Sequence, residues 1–151
     1  MSYVLHAIVA KEAVLDRMLS EIKAAKKINL EQGFAMIPVN GKLADIIDPA
    51  SDSECIADFI MLTDAFEERV LEILKEEKWA YLESEFFGGR GGHMGIVWEE
   101  GKRKMEISES YTGANELLRE IGVRRTSHLD EFDCMGLGRH RSVDDWLEEN
   151  P

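Results

Sequence analysis

Two glutamates, Glu83 and Glu85, stand two positions apart in the stretch WAYLESEFF. Residues two apart in a β-strand point to the same face, roughly 7 Å from each other. A carboxylate pair at that distance suits glycoside hydrolysis or the binding of a divalent ion. The alternative is the solvated side of an antiparallel hairpin, where alternating acids are common.

A second group of polar side chains lies in the segment DEFDCMGLGRHRSVDDW near the C-terminus, which contains Arg139 and His140. A histidine that titrates near neutral pH is suited to general acid-base catalysis, and an arginine is suited to binding an anion. The alternative is a C-terminal tail held to the domain by charge-assisted hydrogen bonds, with Phe132, Leu137 and Trp146 as apolar anchors.

Five glycines fall within the segment SEFFGGRGGHMGIVWE, residues 84–99. A phosphate-binding loop needs its glycines between a strand and the N-terminus of a helix. Here Met94 stands where the last glycine of G-x-G-x-x-G is required, no G-K-[ST] follows, and the next residues are typical of a strand. The segment therefore indicates a hairpin loop, whose side chains Arg90 and His93 are available to contact a partner.

An enzyme built from these segments would be a small hydrolase or transferase with the catalytic candidates Glu83, Glu85, His93, Arg139 and His140. Such an enzyme requires a fold that gathers the five side chains into one pocket. The sequence contains no G-x-S-x-G motif that would mark a serine nucleophile.

Metal ligation has little support in the sequence. His128, Cys134 and His140 are each separated by five residues, without the Cys-x-x-Cys or His-x-x-x-His pairs that mark zinc sites. His6 lies in an apolar run and is interpreted as a core histidine with satisfied hydrogen bonds. We therefore expect no metal and no cofactor.

The charge distribution points to a different kind of function. Eighteen basic and thirty acidic side chains give a net charge of −12, which argues against a nucleic-acid partner because such binding depends on Lys and Arg. Residues 43–68 contain eight acids and neither Lys nor Arg. This asymmetry suits steering of a basic protein, although an acidic surface also serves solubility. The candidate partner-binding residues are Asp48, Asp52, Glu54, Asp58, Arg90 and His93.

Hydrophobic periodicity and turn signals predict the elements that position these residues. Helices are expected at 11–27, from Asp64, at 113–121 and after Ser142 as N-cap. Strands are expected at 3–9, 33–39, 79–87, 94–99 and 104–107, and 56–62 is assigned as a strand although a helix start is the alternative. The pattern predicts one α+β domain over residues 1–151, with a mainly antiparallel sheet of about five strands and helices packed on one side.

The N-terminal residues do not show the basic region followed by an apolar core and a small-residue cleavage site that marks a signal peptide, and no apolar run reaches the roughly 18 residues of a membrane span. We expect a cytoplasmic protein without a membrane partner. Cys55 and Cys134 are then expected to be reduced thiols.

Three segments, WAYLESEFFGGRGGHMGIVW, GANELLREIGV and DEFDCMGLGRHRSVDDW, resemble a pattern found in small bacterial cytoplasmic proteins. Some proteins of this size and character are encoded as immunity partners of secreted toxins. The resemblance covers the second half of the chain and implies no catalytic residues.

The leading hypothesis is a non-enzymatic acidic binding protein, most concretely an immunity-type inhibitor of a cationic, nuclease-like toxin domain. Net charge, the base-free acidic stretch and the absence of a catalytic motif motivate it. The small hydrolase or transferase is the alternative. A third possibility is a structural subunit, such as a homodimer that pairs through an exposed strand edge.

Overall fold

Six strands form one antiparallel sheet in the computed structural model, which describes residues 2–50, 52–126 and 128–149. The order across the sheet is β2-β3-β1-β4-β5-β6, so β1 and β4 lie at its centre. This confirms an α+β fold with one strand more than expected. The strands are β1 (Ser2–Lys11), β2 (Ile28–Asn29), β3 (Phe34–Pro38), β4 (Trp79–Phe87), β5 (Arg90–Glu99) and β6 (Lys102–Ser110).

In the described ranges, six helices connect or follow the strands, and side-chain caps fix several of their first turns. Thr63 Oγ1 accepts the backbone N–H of Phe66 at 3.1 Å, and Ser142 Oγ accepts that of Asp145 at 3.1 Å. The predicted Ser142 cap is therefore confirmed. The helices are α1 (Glu12–Glu21), α2 (Gly41–Ile47), α3 (Asp64–Leu74), α4 (Gly113–Glu120), α5 (Glu131–Cys134) and α6 (Val143–Glu149).

The helices cover both faces of the sheet, which corrects the expectation that they pack on one side. Helices α1, α2 and α3 pack on the face that contains Ile8 and Ala10, and α4, α5 and α6 pack on the face that contains Leu5 and Val9. We call these the α1–α3 face and the α4–α6 face. A central strand buried on both sides shows a continuous apolar run rather than alternation, as LHAIVA of β1 does.

The segment between α2 and α3 is a loop, and the strand predicted at 56–62 is wrong. Residues 48–50 and 52–63, called here the acidic loop, form bends and turns with one isolated bridge between Cys55 and Thr63. Phe59 and Leu62 are nevertheless buried in the core of the α1–α3 face. The apolar run therefore reflects a loop that fills the core, which periodicity alone does not distinguish from a strand.

The glycine cluster is mostly strand rather than loop, which corrects a second expectation. Only Gly88 and Gly89, with φ of 60° and 82°, form the two-residue turn, and β5 begins at Arg90. At Gly95 an added Cβ would lie 2.2 Å from Leu117 Cδ1 of α4. This glycine thus permits α4 to pack directly against β5.

Candidate functional site

The predicted pair Glu83 and Glu85 lies on the α1–α3 face of β4, together with Tyr81. Glu83 is only 2% exposed. The expectation of a solvated hairpin side therefore does not describe Glu83, whereas Glu85 is half-buried. The sheet register sets His6 of β1 directly opposite Glu83 and Val4 opposite Glu85.

The carboxylate of Glu83 is hydrogen-bonded to the acidic loop. Oε1 accepts the backbone N–H of Ile60 at 2.8 Å, and Oε2 accepts that of Met61 at 2.8 Å. Oε2 also accepts the hydroxyl of Tyr81 at 2.7 Å. These three donors offset much of the cost of burying the carboxylate, and they fix the loop on the sheet.

Glu85 is paired with His6, whose Nε2 lies 3.2 Å from Glu85 Oε2. The imidazole is 6% exposed, so the interpretation of His6 as a core histidine with a satisfied hydrogen bond is confirmed. One ligand-type atom from each of His6, Glu83 and Glu85 lies within 4.8 Å of the other two. Sequence reasoning did not connect His6 with the glutamates, because cross-strand register between residues so distant in the chain leaves no local signal.

His93 lies on the opposite, α4–α6 face, beside Ser84 of β4. Its Nδ1 is 2.6 Å from Ser84 Oγ, and the rings of Phe86 and Phe132 lie 4.9 and 5.5 Å from the imidazole, centroid to centroid. Burial lowers the pKa of His93 to about 4, although the nearby Asp130 opposes the shift. A buried neutral histidine is poorly placed to contact a partner, which corrects the expectation that it sits on an accessible loop.

Arg139 and His140 are both bound to Glu149 of α6. Arg139 donates from Nε and from one terminal nitrogen to the two Glu149 oxygens, at 3.2 and 2.7 Å. His140 Nε2 lies 2.6 Å from Glu149 Oε2, and the guanidinium stands 4.9 Å above the ring of the buried Trp146. This arrangement matches the tail held by charge-assisted hydrogen bonds, with Leu137 and Trp146 buried as its anchors.

The five catalytic candidates therefore occupy three separate places. Glu83 and Glu85 lie on the α1–α3 face, His93 lies on the α4–α6 face, and Arg139 and His140 lie at α6. The sheet itself separates the first two groups. In the part of the chain that the structure describes, these five residues do not converge on one place, so the geometry does not support the hydrolase or transferase site in its expected form.

The predicted acidic contacts divide into one structural and three exposed residues. Asp48 is half-buried and accepts the hydroxyls of Thr63 at 2.6 Å and Ser53 at 2.9 Å, and the backbone N–H of Ala50 at 3.2 Å. These bonds, that from Thr63 above all, hold the pKa of Asp48 below its usual range. The three exposed residues are Asp52, Glu54 and Asp58.

Arg90 is exposed at the start of β5, beside the Gly88–Gly89 turn. It pairs across the hairpin with Phe87, which is four residues beyond Glu83 along β4. At about 3.3 Å per residue, the Gly88–Gly89 turn lies roughly 13 Å along β4 from Glu83, the residue that holds the acidic loop.

The comparisons with known proteins returned no matches: no family model, no curated protein and no solved structure is similar to this chain. The resemblance to immunity partners stays a prediction. Among the described residues, none of the helices combines the length and apolar character needed to cross a membrane.

Proposed function

We propose that this protein is a non-enzymatic acidic binding protein of the bacterial cytoplasm, and most concretely an immunity-type inhibitor of a cationic, nuclease-like toxin domain. The supporting observation is the attachment of the acidic loop to the buried Glu83 through the backbone N–H groups of Ile60 and Met61. The loop displays acids to solvent while its backbone is fixed from beneath. A fixed loop loses little conformational entropy when it binds.

The exposed acids of this region give the surface one sign of charge. Residues 43–68 contain neither Lys nor Arg. Nucleases present cationic clefts to their substrates, and an acidic inhibitor associates rapidly with such a cleft by electrostatic steering. The exposed acids are Asp45, Asp52, Glu54, Asp58, Asp64 and Glu68.

Apolar surface accompanies these charges. Ile46 on α2 is 43% exposed and Ile60 on the acidic loop is 53% exposed. Ile60 also lines a shallow cavity of about 170 Å³ together with Asp45 and Asp48. An apolar centre with a polar rim is the usual anatomy of a protein interface, and the carboxylates of Asp45 and Asp48 at this cavity would attract the end of a basic side chain.

The alternatives have less structural support. The candidate catalytic residues are dispersed over three places. Of the two edge strands, β2 has only two residues and β6 begins with Lys102, Arg103 and Lys104; a very short edge and basic residues on an edge both oppose pairing with a second copy.

A pair of charge-reversed proteins tests the proposal. The loop variant combines Asp52→Lys, Glu54→Lys and Asp58→Lys, and the matched control combines Glu21→Lys, Glu72→Lys and Glu148→Lys, three exposed acids elsewhere on the surface. Both variants change the net charge equally. Each protein, including the wild type, is used to capture partners from bacterial lysate at about 50 mM and about 500 mM NaCl, with quantitative mass spectrometry.

We expect a basic protein that the wild type and the control retain at low salt and the loop variant does not. Its association with the purified proteins, followed by stopped-flow fluorescence, should be at least about tenfold slower for the loop variant and less dependent on salt. If every captured protein binds the loop variant and the control equally, the acidic loop is not the binding surface and the proposal is wrong.

A further inference from the structure

The buried group on the α1–α3 face has a composition and geometry that the binding proposal does not use. His6 stands opposite Glu83 and diagonal to Glu85 across the β1–β4 pair, so that all three side chains point to one place. Their ligand-type atoms lie within 4.8 Å of one another, and His6 Nε2 is 3.2 Å from Glu85 Oε2. Two ligands of a tetrahedral zinc ion, each about 2.0–2.2 Å from the metal, are separated by about 3.3–3.5 Å.

The negative charge of this group has no lysine or arginine beside it in the described ranges; within the group, His6 faces Glu85. Among the residues that the structure describes, two glutamates are fully buried, Glu83 and Glu131. Glu131 has the guanidinium of Arg119 at 3.0 Å, whereas no lysine or arginine in the described ranges forms an ion pair with Glu83 or Glu85. A buried carboxylate without a cation is costly. Two carboxylates and a neutral imidazole match the charge of one divalent cation.

The hydrogen-bond donors around Glu83 hold its carboxylate in one orientation. Donors around a metal site hold the metal ligands in the same way. Two backbone N–H groups and the Tyr81 hydroxyl fix the plane of its carboxylate. Oε1 accepts only the Ile60 N–H among these bonds, which leaves it one lone pair for an ion. His6 contributes a nitrogen donor, and an imidazole favours zinc over calcium or magnesium, which prefer oxygen ligands.

We propose that His6, Glu83 and Glu85 form a binding site for a single Zn²⁺ ion beneath the acidic loop. Three protein ligands leave one position of a tetrahedral ion for water. Because Glu83 also accepts the N–H groups of Ile60 and Met61, the ion and the acidic loop would share this carboxylate. This inference does not depend on the proposed binding function, since none of its ligands is one of the exposed acids.

The test is a calorimetric titration of the chelator-treated full chain with ZnCl₂, repeated with Co²⁺ and followed by visible absorption. The variants are His6→Gln and Glu85→Gln. The matched control is His140→Gln, because His140 and Glu149 form a similar histidine–carboxylate pair on the surface without a third ligand. Circular dichroism and thermal melting without metal establish that each variant is folded.

We expect one Zn²⁺ per chain, a melting temperature raised by Zn²⁺, and a Co²⁺ spectrum of tetrahedral type. Affinity should fall at least about tenfold in His6→Gln and in Glu85→Gln, and stay at the wild-type value in His140→Gln. If His6→Gln fails to fold, the affinity of Glu85→Gln for Zn²⁺ is the test of the site. Glu85 is half-buried, so its replacement disturbs the core less. Absence of saturable binding to the wild type, or wild-type affinity in Glu85→Gln, would overturn the inference. Neither result bears on the lysate capture, so the two proposals fail separately.

Discussion

Tyr81 donates its hydroxyl to Glu83 at 2.7 Å from within the same strand, two residues earlier. Both side chains are buried, and the ring of Tyr81 packs edge-on against Phe59 of the acidic loop and Phe66 of α3. Burial and the neighbouring Glu83 carboxylate raise the pKa of Tyr81 well above its ordinary value, so the hydroxyl stays a donor. Tyr81 thus contributes both packing and a hydrogen bond to the anchor of the loop.

Replacing Glu83 by Gln should destabilise the protein by about 2–4 kcal/mol. The amide NH₂ cannot accept a hydrogen bond, so at least one of the part-buried N–H groups of Ile60 and Met61 loses its partner. Urea unfolding followed by tryptophan fluorescence gives the free energy of unfolding. Tyr81→Phe is the control, because it removes one hydroxyl and should cost only about 1 kcal/mol. A Glu83→Gln cost no larger than that of Tyr81→Phe would contradict the anchoring role.

Replacing Gly95 by Ala should cost more than about 3 kcal/mol or prevent folding. The new methyl group would lie 2.2 Å from Leu117 Cδ1 and 2.6 Å from the carbonyl oxygen of Tyr81, and a backbone atom of a central strand cannot yield cheaply. Gly138→Ala is the control, since no atom of the described residues lies within 4 Å of a Cβ there, and it should change stability by less than about 0.5 kcal/mol. Thermal and urea unfolding measure both. Equal stability of the two variants would show that α4 does not approach β5 this closely.

Local signals were sufficient to predict much of this fold. Strand β4 has the predicted bounds, the helix before Gly122 is present, and Ser142 caps α6, because each depends on neighbours in sequence. The packing of helices on both faces of the sheet was not predicted, although the continuous apolar run of β1 indicates a strand buried on both sides. The predicted loop of the glycine hairpin was too long. Only two of the five glycines form the turn, and the others permit close packing within the sheet and against it.

The candidate sites were harder to predict, because they depend on register. His6 meets Glu83 and Glu85 only through the pairing of β1 with β4, and Glu83 meets Ile60 only through the path of the acidic loop. Neither contact produces a periodic pattern in the sequence. The spacing of the two glutamates correctly predicted that they share one face of β4. It did not predict that His6 and the acidic loop meet them there.

The stability of the protein should fall between about pH 6.5 and about pH 4 in part because of His93. Burial lowers its pKa in the folded chain to about 4, below the ordinary 6.5, so in this interval the unfolded chain takes up a proton that the folded chain does not. Above the interval both states are neutral at this position, and the full stability is present. The loss amounts to at most about 3 kcal/mol, less where water reaches the ring.

Urea unfolding of the wild type and of His93→Gln at about pH 7 and about pH 5 isolates this contribution. The variant should lose less stability between the two pH values than the wild type, because it has no imidazole to protonate. His140→Gln, which removes a histidine at the surface beside Glu149, is the control for a general histidine effect. If His93→Gln shows the same pH dependence as the wild type, the buried imidazole does not control acid stability.

Asp48 and Asp58 should respond differently to neutralisation, although both belong to the acidic loop. Asp48→Asn weakens the bonds from Thr63, Ser53 and Ala50 that shape the loop, and should cost about 1 kcal/mol of stability. Asp58→Asn removes an exposed charge and should change stability by less than about 0.5 kcal/mol. In association with a captured basic partner, Asp58→Asn should slow binding as much as Asp48→Asn or more, because the exposed charge faces the partner directly. Parallel urea titrations and stopped-flow measurements separate the two effects, and a larger stability loss in Asp58→Asn would reverse the assigned roles.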